Sequence, residues 1–424
     1  MQKDNPPPGN GGFFTKHPSV RIREFQHYLT IRFGLIYALN MQSTIIYYWV
    51  YDITRDKLAL GLVGLAEVIP ALSFSLFAGH IVDLNEKRKM VMFCVIGYII
   101  LGLALASLTL PFSDALEVSD KLHLIYFLVF IGGIFRAFYS PSMFSLFGLV
   151  VPRNNYANAT SWSSMAWQMG AVLGPLTAGF LIATIDIGAA MVGVVGIELL
   201  LLFPLFSIGV KPILKKVKEP VLQSLTEGLR FVWNTPALLG AQMLDMFSVL
   251  FGGAVALLPV FQKEILNVDE MGFGILRSAP GIGALITLGL LAFLPLRTNP
   301  GKKLFVCVAG FAISIIVFGL STNFLLSFFM LLFSGMFDAV SVVIRSTILQ
   351  LVTPDAMRGR VSSVNTMFVS SSNELGDFES GVMAHWLGAS RAVVVGGCIT
   401  LAVVIATFFK APQLRRFQFD EHEK

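Results

Sequence analysis

The sequence predicts an all-α membrane protein: twelve transmembrane helices in two pseudo-symmetric six-helix bundles, with both termini cytoplasmic. Three observations carry this reading. Of the 424 residues, 55% are apolar and 13% charged, against about 25% charged in a soluble protein, so lipid is the solvent for most of the chain. Twelve helix-length apolar runs fall six and six around a basic connector. Finally, a shift of 202 residues lays Gly133, Phe135, Ala137, Leu149, Val150, Pro152, Ser161, Met165, Gly174 and Gly179 on Gly335, Phe337, Ala339, Leu351, Val352, Pro354, Ser363, Met367, Gly376 and Gly381. Those are ten identities in 47 positions, where composition alone gives roughly four. In each copy an apolar run ends at a proline in a short polar turn before a second run begins. Half-length duplication is the plan of transporters built from two related helical halves.

In chain order, residues 1–20 carry Pro6 to Pro8 and then Gly9, Gly11 and Gly12. They are expected to be a disordered tail, too poor in apolar surface to order itself and without a cleavable signal sequence. Residues 21–210 form the N-terminal bundle, with spans near Tyr28–Tyr51, Leu58–Ile81, Met90–Leu110, Leu122–Val151, Ala157–Ile185 and Ile187–Val210. The connector, 211–235, has Lys215, Lys216 and Lys218, then Leu222, Leu225, Leu229, Phe231 and Val232 near helical spacing. That pattern reads as an amphipathic helix on the cytoplasmic membrane surface. The C-terminal bundle, 236–410, has spans near Ala237–Phe261, Gly272–Leu296, Leu304–Leu320, Phe324–Val352, Val361–Leu387 and Ala392–Phe409, and 411–424 is a tail.

Orientation follows from the cations. With the N-terminus inside, cytoplasmic segments hold 22 Lys and Arg and outer loops hold 6, namely Arg55, Lys57, Lys121, Lys263, Arg277 and Arg391. This is the positive-inside pattern. Three more, Arg32, Arg136 and Arg345, fall inside spans. The net charge of +5 therefore reports topology, and no nucleic-acid partner is expected. The three cysteines lie in apolar runs without metal-ligand spacing. No His-Glu-x-x-His run and no phosphate-cradling Gly-x-x-x-x-Gly-Lys-Ser/Thr loop occurs, so a membrane enzyme and direct ATP drive are disfavoured, and neither metal nor cofactor is expected.

Two motifs refine the class. The loop Gly79-His-Ile-Val-Asp83-Leu-Asn-Glu-Lys87-Arg88 resembles the signature loop of the major facilitator superfamily, Gly-x-x-x-Asp-Arg-x-Gly-Arg-Arg/Lys, with Leu84 and Glu86 departing from it. A small residue there lets helices approach, and a carboxylate beside cations can hold one state shut, so Gly79, Asp83, Lys87 and Arg88 are the expected gating loop. The second half keeps only Gly301, Lys302 and Lys303 at the matching loop, which makes the gate asymmetric. Gly170-Ala-Val-Leu-Gly174-Pro175-Leu-Thr-Ala-Gly179 resembles the fifth-helix motif found mostly in exporters of the family, with Gly179 one place late. The match from about Phe25 to Phe409 is similar to the siderophore-exporter and macrolide-efflux branch, on Met41-Gln42, Trp49-Val50-Tyr51, Leu58 to Leu65, Pro141, Val151-Pro152, Asn158-Ala159 and Arg358-Gly-Arg-Val361.

Ionised groups inside lipid cost about 2.5 to 3.5 kcal/mol and mark the working path. The resemblance implies that spans one, four, seven and ten line a central cavity, and these hold Arg32, Arg136, Asp245, Asp338 and Arg345. Arg136 and Asp338 are equivalents under the 202 shift. Asp338 is the first proton-coupling candidate, Asp245 the second, and Glu374 and Asp377 join them from span eleven, where Ser370, Asn373, Glu374, Asp377 and Gly381 are spaced toward one face. A static ion-pair network and interhelical hydrogen bonding are the competing readings of these groups. For Glu67 and Glu198, packing pairs are at least as good a reading. Cavity candidates are Arg32, Arg136, Arg345, Gln42, Tyr47, Phe135, Phe247 and Asn373. The expected function is proton-coupled export of an amphipathic small molecule, siderophore- or drug-like, by a monomer integral to the plasma membrane, the inner one in a Gram-negative cell. An importer on the same fold and a transport-inactive receptor are the alternatives.

Overall fold

The computed structural model describes residues 18–152, 155–211, 221–293, 299–354 and 357–418, and the described residues are almost wholly helical. The first half comprises α1 (Arg23–Thr54), α2 (Lys57–Leu84), α3 (Lys87–Ser107), α4 (Val118–Val150), α5 (Tyr156–Thr184) and α6 (Ile187–Leu200, continuing as Leu202–Ser207). The connector helix α7 (Val221–Asn234) leads to α8 (Pro236–Gly252), α9 (Glu270–Phe293), α10 (Pro300–Leu320), α11 (Phe324–Val352), α12 (Arg358–Leu387) and α13 (Ala389–Lys410). Among the described residues, ten helices are long and apolar enough to cross a membrane. The long helices outside that set are α1 and α12, and they bring Ser43, Tyr47, Glu374 and Asp377 to the centre.

Local chemistry sets the helix ends. Asp56 accepts from Leu58 N at 2.9 Å to start α2, Glu86 accepts from Arg88 N and Lys89 N to start α3, and Asn323 accepts from Leu326 N at 3.1 Å to start α11. Each satisfies amides that the first helical turn leaves without partners. Arg55 closes α1 in the left-handed conformation at φ 52°.

The repeat is legible in matched contacts. Phe135 of α4 seats its ring over Gly97 of α3, and its equivalent Phe337 of α11 seats its ring over Gly310 of α10. Likewise Gly133 lies against Glu67 and Pro70 of α2, while Gly335 lies against Pro280 of α9. A side chain at any of these glycines would displace its neighbour, so the same close approaches recur in both halves.

The halves meet unevenly. Call the face that carries Arg23, Lys87, Tyr156 and Arg358 the tail face. On the opposite, far face, one apolar cluster runs across both halves, joining Ile45, Tyr51 and Leu60 to Leu258, Phe261 and Phe273. Toward the tail face the cores are separate: one holds Phe25, Tyr28, Val91 and Met143, the other Ala241, Leu304, Ile344 and Val404. Across the junction Gly61 of α2 meets Gly381 of α12, and Gly179 of α5 meets Gly274 of α9, backbone on backbone. The far face is thus closed and the described tail-side cores stand apart.

Four segments add detail to the expected plan. The seventh span is not continuous: α8 stops at Gly252, and residues 255–266 follow as short irregular turns that bury Leu257, Leu258, Val260 and Phe261 in the far-face seal. The Gly252-Gly253 pair lowers the cost of leaving the helix. Of the expected disordered tail, residues 1–17 lie outside the described residues, but Pro18–Arg21 forms a helical turn whose buried Ser19 bonds Asn158. At the other end Leu414 is buried against Gly240 and Gly301. The connector helix starts at Val221, lies on α12 through Gly228 and the Glu227–Arg360 pair, and exposes Leu229 and Trp233.

Candidate functional site

Two charge clusters occupy the bundle, and they differ in what they join. In the first, Arg136 of α4 reaches Glu67 of α2 at 2.5 Å and Glu374 of α12 at 2.6 Å through the same nitrogen. This cluster crosses the junction. Glu374 is 5% exposed, and its second oxygen has no donor among the described residues. One turn along α12, Asp377 accepts from the Tyr47 hydroxyl of α1 at 2.7 Å. Arg277 of α9 donates to Ser43 of α1 at 3.0 Å and stacks its guanidinium 4.9 Å from the Tyr47 ring centre. Three carboxylates and two guanidiniums therefore share one region, and the set is neutral only when it holds one additional proton or other positive charge.

The second cluster lies within the second half. Arg345 of α11 pairs with Asp245 of α8, and both are nearly fully buried. Its other terminal nitrogen is 3.8 Å from Asp338, whose side chain is 48% exposed. A small cavity of about 10 Å³ lies beside Asp245 and Asp338, walled by Ser248, Phe311 and Phe337. Arg136 and Asp338, equivalents in the repeat, are not paired with each other: each is held by its own cluster.

The remaining candidates separate by direction. Arg32 donates to the Ser163 carbonyl at 3.2 Å, tying α1 to α5. Asn373 is exposed and bonds the Val369 carbonyl of its own helix. Phe247 stacks on Phe251 at 6.4 Å. Gln42 and Tyr47 are buried at 8% and 2% exposure, so in this state neither lines open space. Phe135 packs on Phe93 and Tyr98 of α3, one residue round the helix from Arg136 and turned away from the junction. The side chain of Ser370 lies outside the described residues.

A side chain at Gly79 would meet nothing within 4 Å. Lys87 bonds carbonyls at the end of α2, and Arg88 donates to the Ile208 carbonyl at 2.6 Å beyond α6. The side chain of Asp83 lies outside the described residues. Gly79 therefore makes no close helix approach of the expected kind in this structure. In the fifth-helix motif, Gly170 and Gly174 pack on α1, with an added Cβ 2.9 Å from the Phe33 carbonyl and 2.7 Å from the Tyr37 carbonyl, whereas Pro175 and Gly179 touch α9 across the junction.

Sequence reasoning placed Arg277 in an outer loop. The structure puts it within α9, against α1. The signal was available, since Arg277 falls five residues inside the apolar run that begins at Gly272. Glu67 was legible as an intramembrane acid but not as the partner of Arg136, because that pairing is set by how α2 meets α4. Glu198 is fully buried on α6, and neither of its oxygens is bonded among the described residues.

Comparison with known proteins agrees with this architecture. The family model of the Major Facilitator Superfamily matches residues 29–377. An enterobactin exporter of Citrobacter koseri is 27% identical over 355 residues, 80% of each chain. One from Shigella boydii is 27% identical over 376 residues, 84% of this chain and 85% of that one. Among solved structures, a D-xylose–proton symporter superposes with a TM-score of 0.69 at 15% identity, covering 94% of this chain and 99% of that one. A bacterial homologue of the iron transporter ferroportin in an inward-facing state gives 0.69 at 14% identity over the same shares; at these identities the likeness is one of fold. The chain is a membrane transporter rather than an enzyme, and it belongs to the Major Facilitator Superfamily.

Proposed function

We propose that this transporter exports an amphipathic small molecule by alternating access, driven by inward proton flow, with both termini cytoplasmic and the monomer as the working unit. The observation that carries the coupling is the cross-junction cluster of Glu67, Arg136, Glu374 and Asp377. Its bonds run from one half to the other, so they must break when the far face opens, and a proton that neutralises one carboxylate changes that balance directly. Glu374 takes the leading place ahead of Asp338 because its free buried oxygen faces a bond that crosses the halves, while Asp338 and Asp245 pair within one half. Arg136, with 41% of its side chain exposed, offers a surface to cargo. Export direction rests on the Gly170 to Gly179 motif and on relatives that are enterobactin exporters. A siderophore or drug-like molecule is the cargo class that fits those relatives.

The test is uptake into inverted membrane vesicles of enterobactin and a panel of fluorescent amphiphiles, with and without an imposed pH gradient. Accumulation that requires the gradient and collapses with a protonophore supports the reading. Gradient-independent equilibration of every compound that crosses would overturn proton coupling, and accumulation only in right-side-out vesicles would make the protein an importer.

A further inference from the structure

The last turns of α1 carry three tyrosines, and all three donate across the junction to carboxylates of the second half. Tyr47 donates to Asp377 of α12 at 2.7 Å, Tyr48 to Glu270 at the start of α9 at 2.7 Å, and Tyr51 to Glu264 in the irregular segment after α8. Their acceptors lie on three separate elements. The tyrosines are 2%, 5% and 0% exposed, so each ring belongs to the far-face apolar seal while its hydroxyl bonds across the closed junction. Tyrosine suits this because its body packs like a hydrocarbon and its tip requires a partner when buried. Polar contacts flank the set: Lys263 pairs with Asp52 and lies 4.3 Å from the Tyr48 ring centre, Lys57 reaches Glu264 at 3.1 Å, and the His385 ring lies 3.4 Å from Asp56.

We propose that Tyr47, Tyr48 and Tyr51 are positioning residues for the transport cycle, forming a three-point latch by which α1 holds the second half and keeps the far face shut. Tyr47 has a second role because its acceptor belongs to the charged cluster. Around Asp377 stand Tyr47 from α1, Glu67 from α2, Arg136 from α4, Arg277 from α9 and Glu374 on its own helix. A change of charge at Asp377 therefore reaches the latch through one hydrogen bond, since bonds to an ionised acceptor are roughly twice as strong as neutral ones. The latch itself requires only two alternating states; the link through Asp377 rests on the cluster being the coupling site.

The experiment reads the state of the seal without cargo or gradient. In the full-length protein in detergent, with Cys94, Cys307 and Cys398 replaced by Ala, Ala256→Cys places a thiol at a position 1% exposed in the seal, and Ala279→Cys provides a second at 0%. Reaction with a membrane-impermeant sulfonated maleimide is then rate-limited by opening. Tyr47→Phe, Tyr48→Phe and Tyr51→Phe keep the rings and delete only the hydroxyls. Each is expected to raise the alkylation rate about tenfold, from the loss of a hydrogen bond to a charged acceptor. Tyr47→Phe and Asp377→Asn are expected to be non-additive, whereas Tyr48→Phe multiplies with either. Gly289→Ala, where an added Cβ meets nothing within 4 Å, should leave the rate unchanged. Wild-type rates in all three Tyr→Phe variants at both reporter positions would overturn the latch. Full multiplication of Tyr47→Phe with Asp377→Asn would overturn the link to the cluster while leaving the latch standing, and neither result depends on which cargo is carried.

Discussion

Replacing Glu374 by Gln is the sharpest probe of the proposed coupling site. Arg136 holds Glu67 and Glu374 at 2.5 and 2.6 Å through one nitrogen, and Glu374 is the member contributed by the other half. Glutamine keeps the shape and an acceptor oxygen for Arg136 but removes the charge and the site for a proton. The lost charge assistance amounts to about 2 kcal/mol, within the range for hydrogen bonds to charged groups. On the proposed alternating-access mechanism, opening the far face breaks this cross-junction bond, so the whole amount falls on the alternation equilibrium, shifting it about 30-fold toward far-face-open. The sign of the pH effect follows: in the native protein, acidification neutralises the carboxylate and pushes the same way, whereas in the variant that site no longer responds. The assay compares gradient-driven accumulation with gradient-free counterflow of a cargo identified in the vesicle screen. Glu374→Gln is expected to abolish accumulation and retain counterflow, with the pH dependence of counterflow flattened. Native accumulation in well-folded Glu374→Gln protein would remove Glu374 from the mechanism, and loss of counterflow as well would make its role one of binding or folding.

Further outcomes follow from the same geometry. Asp245→Ala leaves the buried Arg345 without its close partner and is expected to cost about 3 to 5 kcal/mol, seen as loss of folded protein on thermal challenge; Asp245→Leu with Arg345→Met should recover most of it. Gly170→Ala drives a methyl group to 2.9 Å from the Phe33 carbonyl inside the first half and should destabilise by about 1 to 3 kcal/mol, while Gly289→Ala should be neutral or gain up to about 1 kcal/mol from helix propensity. Glu198→Met replaces a fully buried carboxyl with no described partner and is expected to match or exceed native thermal stability with unchanged transport. A fall in stability there would mean that the carboxyl has a bonding partner.

Much of the candidate site was legible as residues and little of it as pairs. Arg136, Glu374, Asp377, Asp245, Asp338 and Arg345 stand out because an ionisable group in an apolar run is expensive anywhere it is not needed. Nothing in the one-dimensional pattern says that Arg136 chooses Glu67 and Glu374 over its repeat equivalent Asp338, because that choice depends on helix crossings between segments 69 and more than 200 residues apart. Arg277 could be read as lying within its span, five residues inside the apolar run, but that it turns to Ser43 and Tyr47 of α1 is set by the packing of α9.

What the chain alone determined was the architecture. Apolar run length fixes where a backbone can cross lipid with its hydrogen bonds satisfied, and the duplicated Gly133 to Gly179 stretch fixes that the halves are related. What the tertiary structure decided was the state and its contacts: a far face sealed by three tyrosines, a broken seventh span folded into that seal, and a tail-side loop whose Arg88 bonds the Ile208 carbonyl of its own half. The physical reason is that run length and periodicity are local properties of a helix. Which of two alternative faces is closed is a small difference between large opposing sets of long-range contacts, and one linear sequence encodes both sets at once.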